Sequence, residues 1–231
     1  QKFAPQDLDE VSRGCAAPSV DEVNIGRVAA LRMGCGHKVP GWTVMRNCAS
    51  GMQALDSGIN NILAGRSNLV LAGGVDALSR APLLYNDKMV NWFSDFATKR
   101  SSGERARQFL KLPFGSLLAP VIGIMKGLTD PIVGLLMGQT AENIAHRFGI
   151  TREQMDSFSV RSHKRVCAAQ DAGHLAAGGG EVEALYDKEG GVFTLDDGVR
   201  RDSSMANLGE LKPFFDRKYG NVTAGNSSQI T

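Results

Sequence analysis

The segment 41–65 constrains the fold more than any other part of the chain, because it combines a strand, a tight turn and a helix. Residues 42–45 form a short β-prone apolar run. From Met52 onward, large apolar residues recur at the spacing of a helix. Cys48 lies at the turn between the two patterns, and three small residues follow it. The segment therefore predicts a strand that passes directly into a helix, with Cys48 near the helix start.

This position favours a reactive thiolate at Cys48. The first turn of a helix presents unpaired N–H groups and the positive end of the helix dipole, and both stabilise an anion. The small residues Ala49, Ser50 and Gly51 allow a substrate or another backbone to approach closely. The alternative is that Cys48 is a buried residue that fills the junction, as free cysteines often do. Two hypotheses follow, a nucleophile and a packing residue.

The composition predicts a globular chain with no general attraction to nucleic acid. Of 231 residues, 42% are hydrophobic, which suffices for a sizeable core, and the net charge is only +2. No apolar run reaches about 18 residues, so a membrane-spanning helix is not expected. The four cysteines lack metal-ligand spacing and fit free thiols in a reducing compartment. We expect a cytoplasmic location, with a targeting segment ahead of Gln1 as the alternative.

The first part of the chain alternates strand and helix patterns. Residues 8–16 are typical of a strand, and Asn24 is a candidate N-cap for a helix that ends near Gly34. The continuous apolar run 68–72 predicts a strand buried on both faces of a parallel sheet. Together with the Cys48 segment, the order is strand, helix, strand, helix, strand, which favours α/β architecture.

Two helices and a pair of short strands are predicted further along. The first helix starts at Gly138 and ends at Gly149, and a capping box at Thr151–Gln154 opens the second. The glycines around residues 182–186 and the run 192–195 indicate a hairpin or two short strands. The inward face of the second helix is predicted to contain Met155, Phe158, Ser162, Val166 and Ala169.

Residues 83–131 interrupt the alternation with an amphipathic, basic stretch that mixes aromatic side chains with lysines and arginines. Such a stretch is typical of a solvated helical face, of a lid over an anionic ligand, or of a surface that docks on an anionic membrane or a partner protein. His146, His163 and His174 lack metal spacing and are interpreted as structural, so no metal site is predicted.

The Cys48 segment, Asn47-Cys-Ala-Ser-Gly-Met-Gln-Ala-Leu55, resembles the nucleophile segment of thiolases. One departure is Met45, where many relatives have a small polar residue. Further matches follow in the family's order: Asn24–Arg27, Gly73-Gly74, Met137–Glu142, Arg161–His163, Leu211–Pro213 and Val222–Asn226.

Within the family, the long basic excursion and the spacing from Arg201 to Leu211 resemble the thiolase subunits of trifunctional-type fatty-acid oxidation complexes. A β-ketoacyl synthase of the same superfamily is a weaker match, because the segments at Met137 and at 211–213 are similar to thiolases.

The resemblance implies a thiolase-like α/β fold, with a mixed sheet covered by helices on both faces and an inserted α-rich loop domain. On that basis residues 1–81 and 216–231 belong to the N-terminal half, and residues 82–215 form the loop domain over coenzyme A (CoA). The C-terminal half, and the strand and helix that normally precede Gln1, are not in this sequence. We therefore expect a fragment truncated at both ends.

The resemblance also implies the roles of individual residues. Cys48 is expected to be the acyl-accepting nucleophile, with its own N–H in an oxyanion hole. Arg201 matches a residue near the adenine nucleotide of CoA, and Asn207 stands where a serine is often found. Four residues match positions that line the pantetheine channel: Met137, Phe215, Ala224 and Ser228.

The implied reaction is cleavage of a 3-ketoacyl-CoA by CoA, or condensation of two acetyl-CoA molecules, through an acyl-Cys48 intermediate. CoA is the expected substrate and no permanently bound cofactor is expected. The activating histidine and a second cysteine come from the C-terminal half in thiolases, so the chain alone is expected to be inactive. We expect a homodimer or homotetramer, with membership of a fatty-acid oxidation complex or a membrane contact through residues 83–131. The alternative is a non-catalytic CoA-binding or assembly module.

Overall fold

The alternation of strands and helices predicted up to Gly74 is present in the computed structural model, which describes residues 3–229. Strand β1 (Glu10–Gly14) lies at the centre of a three-stranded sheet. It pairs in parallel with β2 (Gly41–Val44) and β3 (Val70–Gly74), in the order β2-β1-β3. Gly14, at the end of β1, lies opposite Val44 and Gly74, so the three strands end at one edge of the sheet. In chain order the elements are β1, α1 (Ile25–Arg32), β2, α2 (Ser50–Leu63) and β3.

Helices α1 and α2 pack against this sheet. The core cluster consists of Leu8, Val11, Ala30, Cys35 and Val39. Strand β1 and helix α2 are joined by polar contacts as well, because the buried Glu10 carboxylate accepts hydrogen bonds from Trp42 Nε1 at 2.6 Å and from Asn61 Nδ2 at 2.8 Å.

Helix α2 contacts the sheet through small residues, whereas its large apolar residues are exposed. Ser50, Ala54 and Gly58 are buried, and a methyl group on Gly58 would lie 3.0 Å from Val70 Cγ1. Met52 and Leu63 are 71% and 80% exposed. The prediction that the strand after α2 is buried on both faces is wrong. Strand β3 begins at Val70 and is only half-buried, because it has one hydrogen-bonded neighbour in the described residues.

The amphipathic stretch that follows forms short helices and one two-stranded antiparallel sheet, whose strands are separated in sequence by three of these helices. Trp92 Nε1 donates to the carbonyl of Gln108 at 2.9 Å, which fastens the third helix to the end of the fourth, and Met89 and Trp92 are buried. The elements are β4 (Leu83–Leu84), α3 (Asp87–Thr98), α4 (Ser102–Phe109), α5 (Phe114–Leu117), β5 (Val121–Ile122) and α6 (Gly123–Gly127).

Residues 3–127 form one compact unit and residues 128–229 a second one. The second unit contains α7 (Met137–Phe148), α8 (Arg152–Asp171), β6 (Leu185–Tyr186), β7 (Val192–Phe193) and α9 (Met205–Gly209). The predicted loop domain, residues 82–215, includes parts of both units, and its limits stay a prediction.

The helix ends in the second unit agree with the sequence prediction, but the inward face of α8 does not. Gly149 ends α7 with a φ of 64°, and Thr151 caps α8 with the reciprocal contact from Gln154. Asp156 and Val160 are the buried residues of α8, whereas Phe158 is 64% exposed. The buried Asp156 carboxylate is tolerated because Arg152 and Asn226 donate hydrogen bonds to it.

No helix within residues 3–229 combines the length and apolar character needed to cross a membrane.

Candidate active site

Cys48 is exposed, between the end of β2 and the first residue of α2. The alternative that it is a buried packing residue is therefore wrong. Cys15 and Cys35 are buried and Cys167 is half-buried, so Cys48 is the most accessible of the four thiols. Its location at the start of a 14-residue helix is the one that the sequence predicts. Its role as a nucleophile stays a prediction at this point.

The turn that carries Cys48 is held by hydrogen bonds on both sides of the cysteine. The buried Ser50 hydroxyl donates to the carbonyl of Asn47 at 2.6 Å and accepts from the amide of Arg46 at 2.8 Å. Asn47 has a φ of 48°, and it is the only non-glycine residue with positive φ among residues 3–229. Asparagine tolerates this left-handed conformation better than most residues. The Ser50 hydrogen bonds and the left-handed conformation of Asn47 therefore fix the turn that contains Cys48.

Arg46 adds a positive charge to this turn. Its Nη1 donates to Gln53 Oε1 at 2.6 Å, which holds the guanidinium along the first turns of α2. Sequence analysis did not single out Arg46 as part of this turn.

Glycines beneath the turn allow the helix start to approach the sheet edge. A methyl group on Gly14 would lie 2.2 Å from the carbonyl carbon of Ser50. A methyl group on Gly74 would lie 3.2 Å from the Cα of Gly51. Because these neighbours are backbone atoms, a side chain at either glycine would crowd the first turn of α2, which packs directly on the ends of β1 and β3.

A second thiol at this sheet edge is held in its protonated form. Cys15 Sγ donates to Asp76 Oδ1 at 3.4 Å, and the same carboxylate accepts from the amides of Ala16 and Ala17. Burial, the hydrogen bond to Asp76 and its negative charge raise the pKa of the Cys15 thiol above its usual value. Cys15 is therefore a poor nucleophile at neutral pH, and Asp76 is a structural contact that the sequence analysis missed.

The five residues predicted to contact CoA all lie in the second unit. Met137 is the exposed first residue of α7, and the Phe215 ring covers Gly138, where a methyl group would lie 1.8 Å from the ring carbon Cε2. The amide of Phe214 donates to the carbonyl of Val222 at 3.0 Å, which connects the Phe215 segment to the loop that contains Ala224. The structure thus brings Met137, Phe215 and the Ala224 loop into one connected group.

Arg201 lies elsewhere in this unit, and Ser228 follows Ala224 by four residues in the same loop. Arg201 pairs with Asp171 at 2.9 Å and also donates to Gln170 Oε1 at 3.1 Å, near the end of α8. Ser228 is exposed. The neighbouring Gln229 donates to the carbonyl of Gly198 at 3.2 Å, so Ser228 lies beside the loop that leads to Arg201. The contacts of these residues with CoA stay predictions.

Of the three histidines interpreted as structural, His163 has a side-chain hydrogen bond, whereas His146 and His174 are exposed. His163 Nδ1 accepts a hydrogen bond from the amide of Arg200 at 3.2 Å. In the part of the chain that the structure describes, no three histidine, cysteine, aspartate or glutamate side chains are grouped so that they could hold a metal ion.

Comparison with known proteins gives a consistent result. A family described as thiolase, N-terminal domain, matches residues 1–231. A protein of Staphylococcus aureus strain COL, named as a probable acetyl-CoA acyltransferase, is 34% identical over 227 residues, which are 98% of this chain and 52% of the relative. The chain spans about half the length of the curated relatives that it matches.

Solved structures are similar over nearly the whole chain. The crystal structure of the Bacillus anthracis acetyl-CoA acetyltransferase has a TM-score of 0.78 at 33% identity, with 97% of this chain and 52% of that chain covered. Human mitochondrial 3-ketoacyl-CoA thiolase, crystallised with CoA, has a TM-score of 0.77 at 28% identity, with 96% and 50% covered. The chain has the α/β fold of these proteins, and it belongs to the thiolase family through the N-terminal domain that its whole length matches.

Proposed function

We propose that this chain supplies the acyl-accepting cysteine of a thiolase. The observation that carries the proposal is the exposed Cys48 on a hydrogen-bonded turn at the start of α2. In the degradative direction, the Cys48 thiolate attacks the 3-keto carbon of a 3-ketoacyl-CoA. The bond between C2 and C3 breaks, C2 takes up a proton, and acetyl-CoA leaves. The acyl group on Cys48 then passes to the thiol of CoA.

The reaction also needs groups from outside the present chain. A base must accept the Cys48 proton, and an acid must protonate the acetyl-CoA carbanion. Family resemblance assigns these steps to a histidine and a second cysteine of the C-terminal half. The residues of this chain orient the thiol, and the N–H groups at the start of α2 stabilise negative charge on the thiolate and on the tetrahedral intermediate.

CoA is the proposed substrate, with the pantetheine arm along Met137, Phe215, Ala224 and Ser228. The human relative whose structure was solved with CoA supports CoA as the substrate, and the four contacts rest on the family resemblance. Arg201 is exposed and is held by Asp171, so its remaining guanidinium N–H groups are free to meet an anionic nucleotide.

Both an acetyl-CoA C-acetyltransferase and a 3-ketoacyl-CoA thiolase fit this proposal. The basic stretch 83–131 and the spacing from Arg201 to Leu211 favour a thiolase of fatty-acid β-oxidation, for which we propose a cytoplasmic homo-oligomer.

Alkylation of the full-length protein tests the nucleophile. Iodoacetamide reacts with thiolates, and Cys48 is exposed whereas Cys15 and Cys35 are buried. We expect Cys48 to be carboxamidomethylated at least about tenfold faster than each other cysteine of this chain, as peptide mass spectrometry would measure. Prior incubation with acetoacetyl-CoA should protect Cys48, because the acylated thiol cannot react. Faster labelling of Cys167, or no protection, would contradict the proposal.

A non-catalytic CoA-binding or assembly module is the alternative function. Experiments on the same full-length protein distinguish such a module from a thiolase. Such a module would bind CoA in a calorimetric titration but would not form an acylated Cys48 or consume acetoacetyl-CoA.

A contact with an anionic membrane through residues 83–131 is a second proposed property. Leu110 and Leu118 are 84% and 82% exposed, and Phe109 and Phe114 are exposed nearby. The exposed cations Arg105, Arg107 and Lys111 lie in the same stretch. Exposed apolar side chains beside cations are typical of a segment that lies in the headgroup region of an anionic bilayer.

Vesicle sedimentation of the full-length protein tests this contact. We expect binding to phosphatidylglycerol vesicles, weaker binding to phosphatidylcholine vesicles, and release as salt is raised. Replacing both Leu110 and Leu118 with serine should weaken binding at least about tenfold, because each leucine loses its apolar burial in the bilayer. Leu195→Ser changes a leucine outside the stretch that is 66% exposed, and it should have no effect. Equal binding by the double variant would reject the contact.

A further inference from the structure

One face of α7 supports several of the segments that carry the predicted CoA contacts. Met137 is the first residue of the helix, and Gly138 receives the Phe215 ring. Glu142 lies four residues after Gly138, one helical turn along the same face. The contacts of Glu142 have no assigned role in the reaction proposed above.

The Glu142 carboxylate holds the start of the loop 221–228. The amide of Asn221 donates to Glu142 Oε2 at 2.8 Å and to Oε1 at 3.0 Å, and the amide of Val222 donates to Oε1 at 2.9 Å. A methyl group on Gly220 would lie 2.5 Å from Oε1, so the backbone encloses the carboxylate closely. Hydrogen bonds from N–H groups to a carboxylate are stronger than those to a neutral acceptor.

Asp156 of α8 holds the other end of the same loop. It is 2% exposed and accepts from Asn226 Nδ2 at 2.9 Å and from Arg152 Nε at 2.7 Å. Asn226 in turn donates to the carbonyl of Asn221 at 2.8 Å and accepts from the amide of Thr223 at 2.8 Å. The only regular structure within the loop is the 3-10 turn Ala224–Asn226, so its shape depends on these two carboxylates.

We propose that Glu142 is a positioning residue for CoA, with Asp156 as its counterpart at the other end of the loop. Glu142 fixes Asn221 and Val222, and thereby sets the position of Ala224 two residues later. The carbonyl of Val222 accepts from the amide of Phe214, so the same contact also orients the Phe215 segment. Glu142 acts through these residues and need not touch the substrate. The inference rests on the proposed function, because it takes Ala224 and Phe215 as CoA contacts.

The test compares Glu142→Gln and Glu142→Ala in the full-length protein. Glutamine keeps one acceptor oxygen but loses the second acceptor and the charge, whereas alanine loses all three hydrogen bonds. We expect the KM for CoA and its calorimetric Kd to rise roughly tenfold for Glu142→Gln and further for Glu142→Ala. The kcat at saturating CoA should change by less than about threefold, since the nucleophile lies on another element. The alkylation rate of Cys48 should not change.

Two controls keep the proposal falsifiable. Glu183→Gln removes the charge of an exposed glutamate with no contact in the described structure and should leave KM and Kd unchanged. Asn226→Ala releases the opposite end of the loop, and it should raise the Kd for CoA even if Glu142→Ala does not fold.

The outcomes also separate this proposal from the proposed function. Wild-type Kd and KM in a folded Glu142→Gln variant, with Cys48 still acylated, would overturn the positioning role alone. A fall in kcat with an unchanged Kd would overturn it as well, because general destabilisation then explains the loss. Absence of an acylated Cys48 in the wild-type protein would overturn the thiolase proposal, whereas the Kd for CoA would still decide the role of Glu142.

Discussion

Replacing Cys48 with alanine is expected to abolish thiolysis of acetoacetyl-CoA by the full-length protein. Alanine cannot form a thioester, and the direct reaction between CoA and the substrate lacks a covalent route. Loss of a nucleophile commonly lowers kcat by about 10³-fold or more. Because Cys48 is exposed and makes no core contact, the variant should fold normally. The measurement is the rate of acetoacetyl-CoA consumption in the presence of CoA.

Cys167→Ala is the matched control for this experiment. Cys167 lies on α8 and is half-buried, so its replacement removes a thiol without altering the turn at Asn47. We expect wild-type turnover and wild-type CoA binding from this control. The Cys48→Ala variant should retain CoA binding as well, since the predicted CoA contacts lie on other elements. Turnover by Cys48→Ala at the wild-type rate would exclude Cys48 as the nucleophile.

The parts of the fold that sequence analysis predicted correctly depend on local signals. Asn24 accepts from the amide of Arg27 at the start of α1, as a capping asparagine should. Thr151 and Gln154 form the expected capping box, and Gly149 adopts the expected left-handed conformation. Each of these signals is contained within a few residues, so no knowledge of distant contacts was needed.

The incorrect predictions concern burial, which depends on distant partners. The apolar Phe158 suggested an inward face for α8, but Phe158 is exposed and the buried residues are Asp156 and Val160. Asn226, the partner of Asp156, is 70 residues away in sequence, so periodicity alone had no means of identifying it. In α2, the large apolar residues mark a helix correctly, yet the contact with the sheet is made by Ala54 and Gly58. Only small residues fit at these positions because the helix lies close to the sheet.

The candidate site also contains features that local sequence predicts and features that depend on distant contacts. Cys48 was identifiable because the strand, the turn and the helix are consecutive in sequence. The left-handed Asn47 and the Ser50 contacts belong to the same segment, but backbone angles are not readable from residue types alone. Glu142 and its loop partner Asn221 are separated by 79 residues, and Asp76 and Cys15 by 61. These pairs required the three-dimensional structure.

Replacing Gly14 with alanine is expected to destabilise the protein and to displace the Cys48 turn. The added methyl group would lie 2.2 Å from the carbonyl carbon of Ser50 and 2.4 Å from the amide nitrogen of Gly51. Both neighbours are backbone atoms at the start of α2, so neither can rotate away. Overpacking of this kind costs about 3 kcal/mol. For a domain of this size, that free energy lowers the unfolding midpoint by roughly 10 °C.

Relief of the Gly14 clash requires the first turn of α2 to move away from the end of β1. Because Ser50 also holds the Arg46 and Asn47 backbone, this movement should alter the presentation of Cys48 and slow its alkylation below the unfolding midpoint. Gly103→Ala is the control, because a methyl group there meets no atom within 4 Å and alanine favours the helix by up to about 1 kcal/mol. If Gly14→Ala melts at the same temperature as Gly103→Ala and alkylates at the same rate, the close contact between β1 and α2 does not control the geometry of Cys48.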